Sequence, residues 1–302
     1  MPQKQKPVDN IWDEITVVIV TYNSAKVVGG CLKPLMEATK IVVVDNASND
    51  QTCEVVRQIS PDIEIIKNTK NTGFGAGINQ GMSCVETTYG FAINPDAVVQ
   101  PGALEELARK AEASPDAAIL CPFLHDANGR VELPVMGPHE IYHYPMVTEP
   151  AGDFCTWFMT GAALLYRTRA WQDVGGYDET IFLYNEDADL ALRTSAKGYS
   201  MIIVPTAVVV HSGGGSSAPS PHVVRLKNWH MTWSHLYLTG KHLDKGLARR
   251  EALVKAIRFG LRTLMYWLVF RVDKATREEA RFSACYSYLF KPASIARQMG
   301  EQ

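Results

Sequence analysis

The sequence predicts an α/β fold, a doubly wound and mostly parallel sheet followed by a helical C-terminal extension. Three observations lead there. Short β-branched runs alternate with helix-length segments through the first two-thirds of the chain. Polar or acidic residues stand at the ends of those runs, where open parallel sheets gather ligands. From His222 onward the pattern turns helical and the charge changes sign.

Residues 1–14 read as a flexible, polar N-terminus, and Met1–Asn10 lacks the apolar core of a signal peptide. Ile15–Val20 is a buried parallel strand that ends at Thr21-Tyr22-Asn23-Ser24, before a helix from about Ala25 to Met36. Ile41–Asp45 repeats the pattern, with Asn46–Asp50 as turn and helix cap. A helix over 52–59 and a strand over 63–67 follow. The segment 68–81 is glycine-spaced, with a helix starting near Ala76. Phe91–Ile93 is the fourth strand, delivering Asn94-Pro95-Asp96 at its end. A helix over 101–113 and a strand over 117–122 come next. Residues 125–156 form an irregular insertion rich in Pro, Gly and His. Then come a strand over 161–166, a short helix over 169–174 and a strand over 201–210 interrupted by Pro205. Ser212–Ser220, rich in glycine and serine, reads as a mobile loop.

The length of 302 residues suits one large α/β domain, 15–221, with an appendage, 222–302. The net charge of −2 hides an asymmetry: residues 1–221 carry −11 and residues 222–302 carry +9. The six cysteines are scattered, which argues against a zinc cluster or disulfide framework and suits a reducing cytosol. No apolar run approaches the ~20 residues of a membrane span.

Thr21, Asp45, Asp96 and His211 all fall just past predicted strand ends, so all can face one crevice. The densest acidic segment is Asn185-Glu186-Asp187-Ala188-Asp189, set among bulky apolar residues. Crowded carboxylates repel one another, and sites that move protons or hold cations collect them. The plain alternative is a solvated helix N-terminus. A dinucleotide-binding oxidoreductase is improbable, because the first strand leads into Thr21-Tyr22-Asn23-Ser24 without the Gly-x-Gly-x-x-Gly turn; a Walker A loop is absent too.

Val20-Thr21-Tyr22-Asn23, Val44-Asp45-Asn46-Ala47-Ser48, Asn71-Thr72-Gly73-Phe74-Gly75, Asn94-Pro95-Asp96 and Asn185-Glu186-Asp187, in that order, resemble the family 2 glycosyltransferases. The resemblance runs from about Ile15 to His211. With Gly161-Ala162-Ala163 and the trailing His211 it looks most like the bacterial rhamnosyltransferase branch. It implies a GT-A fold and inverting, metal-dependent transfer from a nucleotide-diphospho-sugar, dTDP-rhamnose or a UDP-sugar. It also implies Mn²⁺ or Mg²⁺ held by Asp96 and His211. Asn94 replaces the first acid of the family's Asp-x-Asp element, so the site holds one charge less. Thr21, Asn23 and Asp45 are expected at the nucleobase and ribose, and Gly73 and Gly75 where backbone approaches the ligand. Asn79 is expected on the phosphate or ribose side, Asn94 as an oxygen ligand or a hydrogen-bond partner of the sugar, and Trp157 with Tyr184 as an apolar wall. Asp187 is the expected base, with Glu186 beside it; Asp189 pairs with Arg193 at i+4. Each has a plainer alternative: a cap for Asp45, a strand-end turn for His211, core packing for the aromatics.

Residues 249–270 read as an amphipathic helix, with Lys255, Arg258 and Arg262 on one side and Leu253, Ile257, Leu261, Leu264 and Leu268 on another. Such a helix suits an inner-membrane surface and a glycan or polyprenyl-linked acceptor, which implies a cytoplasmic, peripheral protein. The other outlet for the leucine stripe is packing on the catalytic domain or in a homodimer. His230, His235 and His242 read as packed or solvated residues, not metal ligands. Nucleic acid is an improbable partner beside the acidic remainder. Two alternatives stand beside the rhamnose reading: a UDP-hexose donor, or an inactive nucleotide-sugar-binding subunit.

Overall fold

The structure, a computed structural model, describes residues 11–132, 152–212 and 220–300. Most of the insertion (133–151), the loop 213–219 and the first ten residues lie outside the described residues. Ile11–Glu14 is a 3₁₀ turn whose buried Trp12 donates to Glu105 at 3.2 Å, so the flexible N-terminus expected over 1–14 does not reach that far.

The first half alternates strands and helices: β1 (Ile15–Thr21), α1 (Val28–Leu32), β2 (Lys40–Asp45), α2 (Thr52–Ile59), β3 (Glu64–Lys67), α3 (Phe74–Met82) and β4 (Tyr89–Ile93). The second half is less regular: β5 (Ala97–Val99), α4 (Ala103–Ala113), β6 (Ala117–His125), β7 (Val131–Glu132), β8 (Phe154–Cys155), β9 (Ala163–Arg167), α5 (Thr168–Val174), α6 (Glu186–Ala196) and β10 (Ser200–His211). The extension is α7 (Pro221–His242), α8 (Lys245–Leu268), α9 (Val272–Phe290) and α10 (Ile295–Gly300).

The strands make one sheet in the order β3-β2-β1-β4-β9-β6-β10-β5, with β7 on β6 and β8 on β10. Along that path β1, β2, β3, β4, β6 and β10 run one way, and β9 and β5 run against them. The chain winds outward from β1 through β2 to β3, then returns to the other side of β1 as β4. That reversal opens the crevice at the ends of β1 and β4.

Every residue of β1 is buried, as expected of a strand covered on both faces. Successive side chains point to opposite faces, so Val17 and Ile19 join one core with Leu32, Val56 and Leu104, while Val18 and Val20 join a second with Ile78, Met82 and Leu190. The helix α3 lies close on β1 because Gly81 faces it: a Cβ there would stand 2.2 Å from Val18.

Local sequence accounts for the departures from the expected elements. The helix expected over 25–36 shortens to α1 and a 3₁₀ turn, Lys33–Leu35, because Pro34 breaks the α pattern. Pro205 does not end its strand; β10 continues through a register shift between Val204 and Val208. The short β5 had no periodic signal.

The extension is built on α7, which starts at Ser220 and Pro221, a capping serine followed by proline at the first helical position. Trp229 and Trp233 pack against Ala280 and Ala284 of α9 and Ala296 of α10, large side chains meeting small ones.

Candidate functional site

Two loops at the ends of β1 and β2 are tied together. Asp45, buried at the end of β2, accepts from Thr21 Oγ1 (3.0 Å) and Ser48 Oγ (2.6 Å) on Oδ1, and from the Ser48 N–H (3.1 Å) on Oδ2. The carboxylate therefore closes its own turn and keeps accepting capacity on Oδ2. Asn23 donates its N–H to Ser48 Oγ (2.9 Å) and accepts from the Asn49 N–H (2.8 Å). Asn23 (φ 51°) and Ala47 (φ 62°) both hold left-handed backbone, uncommon for residues with a Cβ.

The glycine-spaced loop meets the acidic segment directly. Gly73 has φ 91°, and a Cβ there would lie 2.4 Å from the Phe182 carbonyl oxygen; at Gly75 it would lie 2.9 Å from Tyr177 Cβ. The close approach these glycines permit within the protein is to residues 177–182. Buried Asn46 fixes the loop from below: its Nδ2 donates to the Gly73 carbonyl (3.0 Å), while Oδ1 accepts from Asn68 (2.8 Å) and Thr72 (3.0 Å). Asn79, expected on the phosphate or ribose side, is engaged within the protein. Its amide donates to the Tyr177 carbonyl (3.0 Å) and Glu179 (3.2 Å) and accepts from the Tyr177 N–H (2.9 Å), so it pins that turn.

Asp96 and His211 come together through the unforeseen β5, whose antiparallel pairing sets Ala97 opposite His211. His211 Nε2 lies 3.4 Å from Asp96 Oδ1, with Asp96 buried. An imidazole and a carboxylate converging at strand ends fit a divalent cation that shares its remaining sites with phosphate oxygens. Among the described residues no third His, Cys, Asp or Glu completes an all-protein cluster.

The acidic segment begins α6 through two successive left-handed residues, Tyr184 (φ 65°) and Asn185 (φ 67°). Strain of this kind, about 1–3 kcal/mol per residue, persists only where the surroundings over-determine it. Here the Phe74 N–H donates to the Phe182 carbonyl (3.2 Å), Ser234 Oγ of α7 donates to the Leu183 carbonyl (3.1 Å), and the Phe182 ring stacks on His230 at 4.9 Å. Sequence reasoning missed Ser234 and His230 as supports, since nothing local links a helix 50 residues away to this turn.

Asp187 accepts from the Ala188 N–H (2.9 Å) on one oxygen and the Gly161 N–H (3.3 Å) on the other. The adjoining Ala162 carbonyl accepts from the Asn94 N–H (2.8 Å), so Gly161-Ala162 joins the Asp187 side of the crevice to the Asn94–Asp96 side. Glu186 is buried, and its Oε2 has no hydrogen-bond partner among the described residues. Burial pushes both carboxyls above the ordinary carboxylate range; for Glu186 the Asp187 charge adds to this, whereas backbone N–H groups partly offset it for Asp187. Asp187 is thus the member built to carry the charge. Asp189, by contrast, is structural. Burial alone would raise its pKa, but His242 (2.6 Å), Lys241 (2.6 Å) and Arg193 (2.8 Å) hold it down at about 2.

Trp157 is 57% exposed, so core packing does not explain it; Tyr184 is half-buried. His235 pairs with Glu251 at 2.7 Å, and His230 is fully buried.

Residues 16–175, more than half of the chain, match the profile of the family described as Glycosyl transferase family 2. The chain belongs to this family. It is 28% identical over 267 residues to an N-acetylglucosaminyl-diphospho-decaprenol L-rhamnosyltransferase of Mycobacterium tuberculosis, covering 76% of this chain and 85% of the relative. A pre-mycofactocin glycosyltransferase of the same organism is 26% identical over 72% of this chain and 44% of its own length. Among solved structures, the mannosyltransferase PcManGT from Pyrobaculum calidifontis, in complex with GDP-Man and Mn²⁺, superposes with a TM-score of 0.55 at 17% identity, over 95% of this chain and 91% of that one. S. aureus TarS 1–349 gives 0.52 at 16% identity, over 91% of both. The family 2 glycosyltransferase described here therefore has the GT-A fold with C-terminal helices.

Proposed function

We propose that this glycosyltransferase moves L-rhamnose, with inversion, from dTDP-rhamnose onto a polyprenyl-linked glycan acceptor at the inner face of the membrane. The observation that carries the chemistry is the Glu186–Asp187 pair, one carboxylate furnished with N–H donors and the other without. Asp187 takes the proton of the acceptor hydroxyl as that oxygen attacks the anomeric carbon. The bond from that carbon to the diphosphate oxygen breaks, and the nucleoside diphosphate leaves with the electron pair. A raised pKa makes Asp187 a stronger base than an ordinary carboxylate, while Glu186 suits the protonated neighbour that donates to acceptor or sugar.

Thr21, Asn23 and Asp45 hold nucleobase and ribose, Gly73 and Gly75 border the donor, Asn94 meets the sugar hydroxyls, and Trp157 stacks on the ring. Asp96 and His211 would hold a divalent cation, Mn²⁺ or Mg²⁺, which when bound offsets charge on the leaving diphosphate. The donor and acceptor assignments lean on the mycobacterial relative.

Calorimetric titration with dTDP, UDP and GDP, each with and without Mn²⁺, tests the reading. Metal-dependent binding that prefers dTDP is expected. A preference for UDP would replace rhamnose with a UDP-hexose donor; no binding at all would overturn the donor-site reading, leave the fold standing and turn the search to a scaffold role.

A further inference from the structure

The leucine stripe of α8 does not pack on the catalytic domain. Ile257, Leu261, Leu264 and Leu268 are 66%, 64%, 63% and 79% exposed. They continue into the α8–α9 turn, where Val269 and Phe270 stand in solvent, Phe270 at 88%. Phe282, Tyr286 and Phe290, one turn apart on α9, extend the same face across a groove of about 670 Å³ lined with Leu253, Ile257 and Leu264. Among the described residues, 15 of the 21 exposed large apolar side chains lie between Leu247 and Phe290. That concentration is a contiguous surface, where soluble proteins scatter such residues singly.

The charges around it identify what covers it. Apart from Asp244, the described acids of the extension each have a basic partner within it: Glu251 with His235 and Lys255, Glu278 with Arg281 and Arg262, and, as exposed surface pairs, Glu279 at the groove with Arg225 and Asp273 with Arg271. Asp244 caps α8. The basic residues outnumber them, and Arg249, Arg250 and Arg258 are exposed on the same helix as the apolar stripe. A two-fold pairing of this face would bring two such arginine edges together, with no exposed acidic cluster to answer them. Anionic lipid headgroups do answer them. No helix among the described residues is long and apolar enough to cross a membrane, so a hairpin of this kind would meet a bilayer by lying on it.

We propose that the α8–α9 hairpin is a membrane-docking surface whose apolar face and Leu268–Phe270 tip enter the interface of a bilayer containing anionic lipid, with Arg250 and Arg258 among the headgroups. It extends the reading of a lipid-linked acceptor, but its test uses neither donor nor acceptor, so its failure leaves the transferase reading standing. Flotation of the full chain with phosphatidylcholine vesicles, with and without phosphatidylglycerol, reads it. Binding is expected only with phosphatidylglycerol, weakening as salt rises. The pair Leu264→Ser/Phe270→Ser and the pair Arg250→Glu/Arg258→Glu each weaken it at least about tenfold. Unchanged circular-dichroism melting shows that both variants fold. Absence of vesicle binding by the folded wild-type chain overturns the proposal. So does a dimer in sedimentation that the serine pair dissociates without affecting flotation, which would make the face a subunit interface.

Discussion

The sheet domain and the helical extension treat their polar and apolar groups in opposite ways. At the ends of β1 and β2 the buried polar groups answer one another, Asp45 with Thr21 and Ser48, and Asn46 with Asn68, Thr72 and Gly73. In the extension, Trp229 Nε1, both ring nitrogens of His230 and Trp233 Nε1 are buried without a hydrogen-bond partner among the described residues, while leucines and phenylalanines stand outside. Buried polar atoms left this way cost about 1–3 kcal/mol each. Apart from Glu186 Oε2 at the candidate site, the described sheet domain satisfies its buried polar side chains. The extension has a second task, supporting the Phe182–Asn185 turn on its inner side and presenting an apolar face on its outer side.

Four changes break or sharpen that contrast. The largest effect is expected from Asp187→Asn, which removes the base and lowers turnover by about 10²–10⁴-fold while donor binding stays; single-turnover kinetics beside calorimetry separate the two. In the wild-type chain the acidic limb of the pH–rate profile is expected above the ordinary carboxylate range, because Asp187 must be ionised to act and its pKa is raised. Unchanged turnover in the variant would remove Asp187 from the chemistry.

Next comes Gly73→Ala. The added Cβ meets the Phe182 carbonyl at a positive φ, so a loss of about 2–4 kcal/mol in urea unfolding is expected. An effect below about 0.5 kcal/mol would mean that the loop and the catalytic turn are not locked together.

His230→Phe probes the inner side of the extension. Burial lowers the His230 pKa from 6.5 to about 4. Between those values the unfolded chain binds a proton that the folded chain refuses, so stability falls as pH drops through that window, by up to about 3 kcal/mol. The phenylalanine variant keeps the stack on Phe182 and is expected to lose that acid sensitivity, read from melting temperatures at pH 7 and pH 5. An equal acid loss in the variant would place the sensitivity elsewhere.

The smallest effect is expected from Asp244→Ala, which removes the cap that accepts from the Leu247 N–H at 2.6 Å. About 1 kcal/mol should be lost from the extension, with little change in sheet-domain hydrogen exchange. Equal loss of protection in both regions would show a single cooperative unit.

Much of this architecture was legible in local sequence. β1, β2, α2, β4 and α4 sit where the runs of Ile15–Val20, Ile41–Asp45, 52–59, Phe91–Ile93 and 101–113 place them, to within two residues. The Asp189–Arg193 pair follows from i+4 spacing on one helix. Asn79 shows the limit: its residue type suits a ligand contact, but its neighbour across the fold, Tyr177, lies 98 residues away and consumes its amide.

By itself, the sequence determined the alternation of strands and helices, the acids and glycines at strand ends, and the amphipathic character of α8. These depend on periodicity and on backbone preferences that each short segment carries with it. Only the tertiary structure decided which of those residues meet. It set Asp96 beside His211 through β5, gave Asp187 the Gly161 N–H, propped the strained 184–185 turn on α7, and left the leucine face of α8 uncovered. Each of these turns on packing between segments far apart in the chain, a choice that no local pattern encodes.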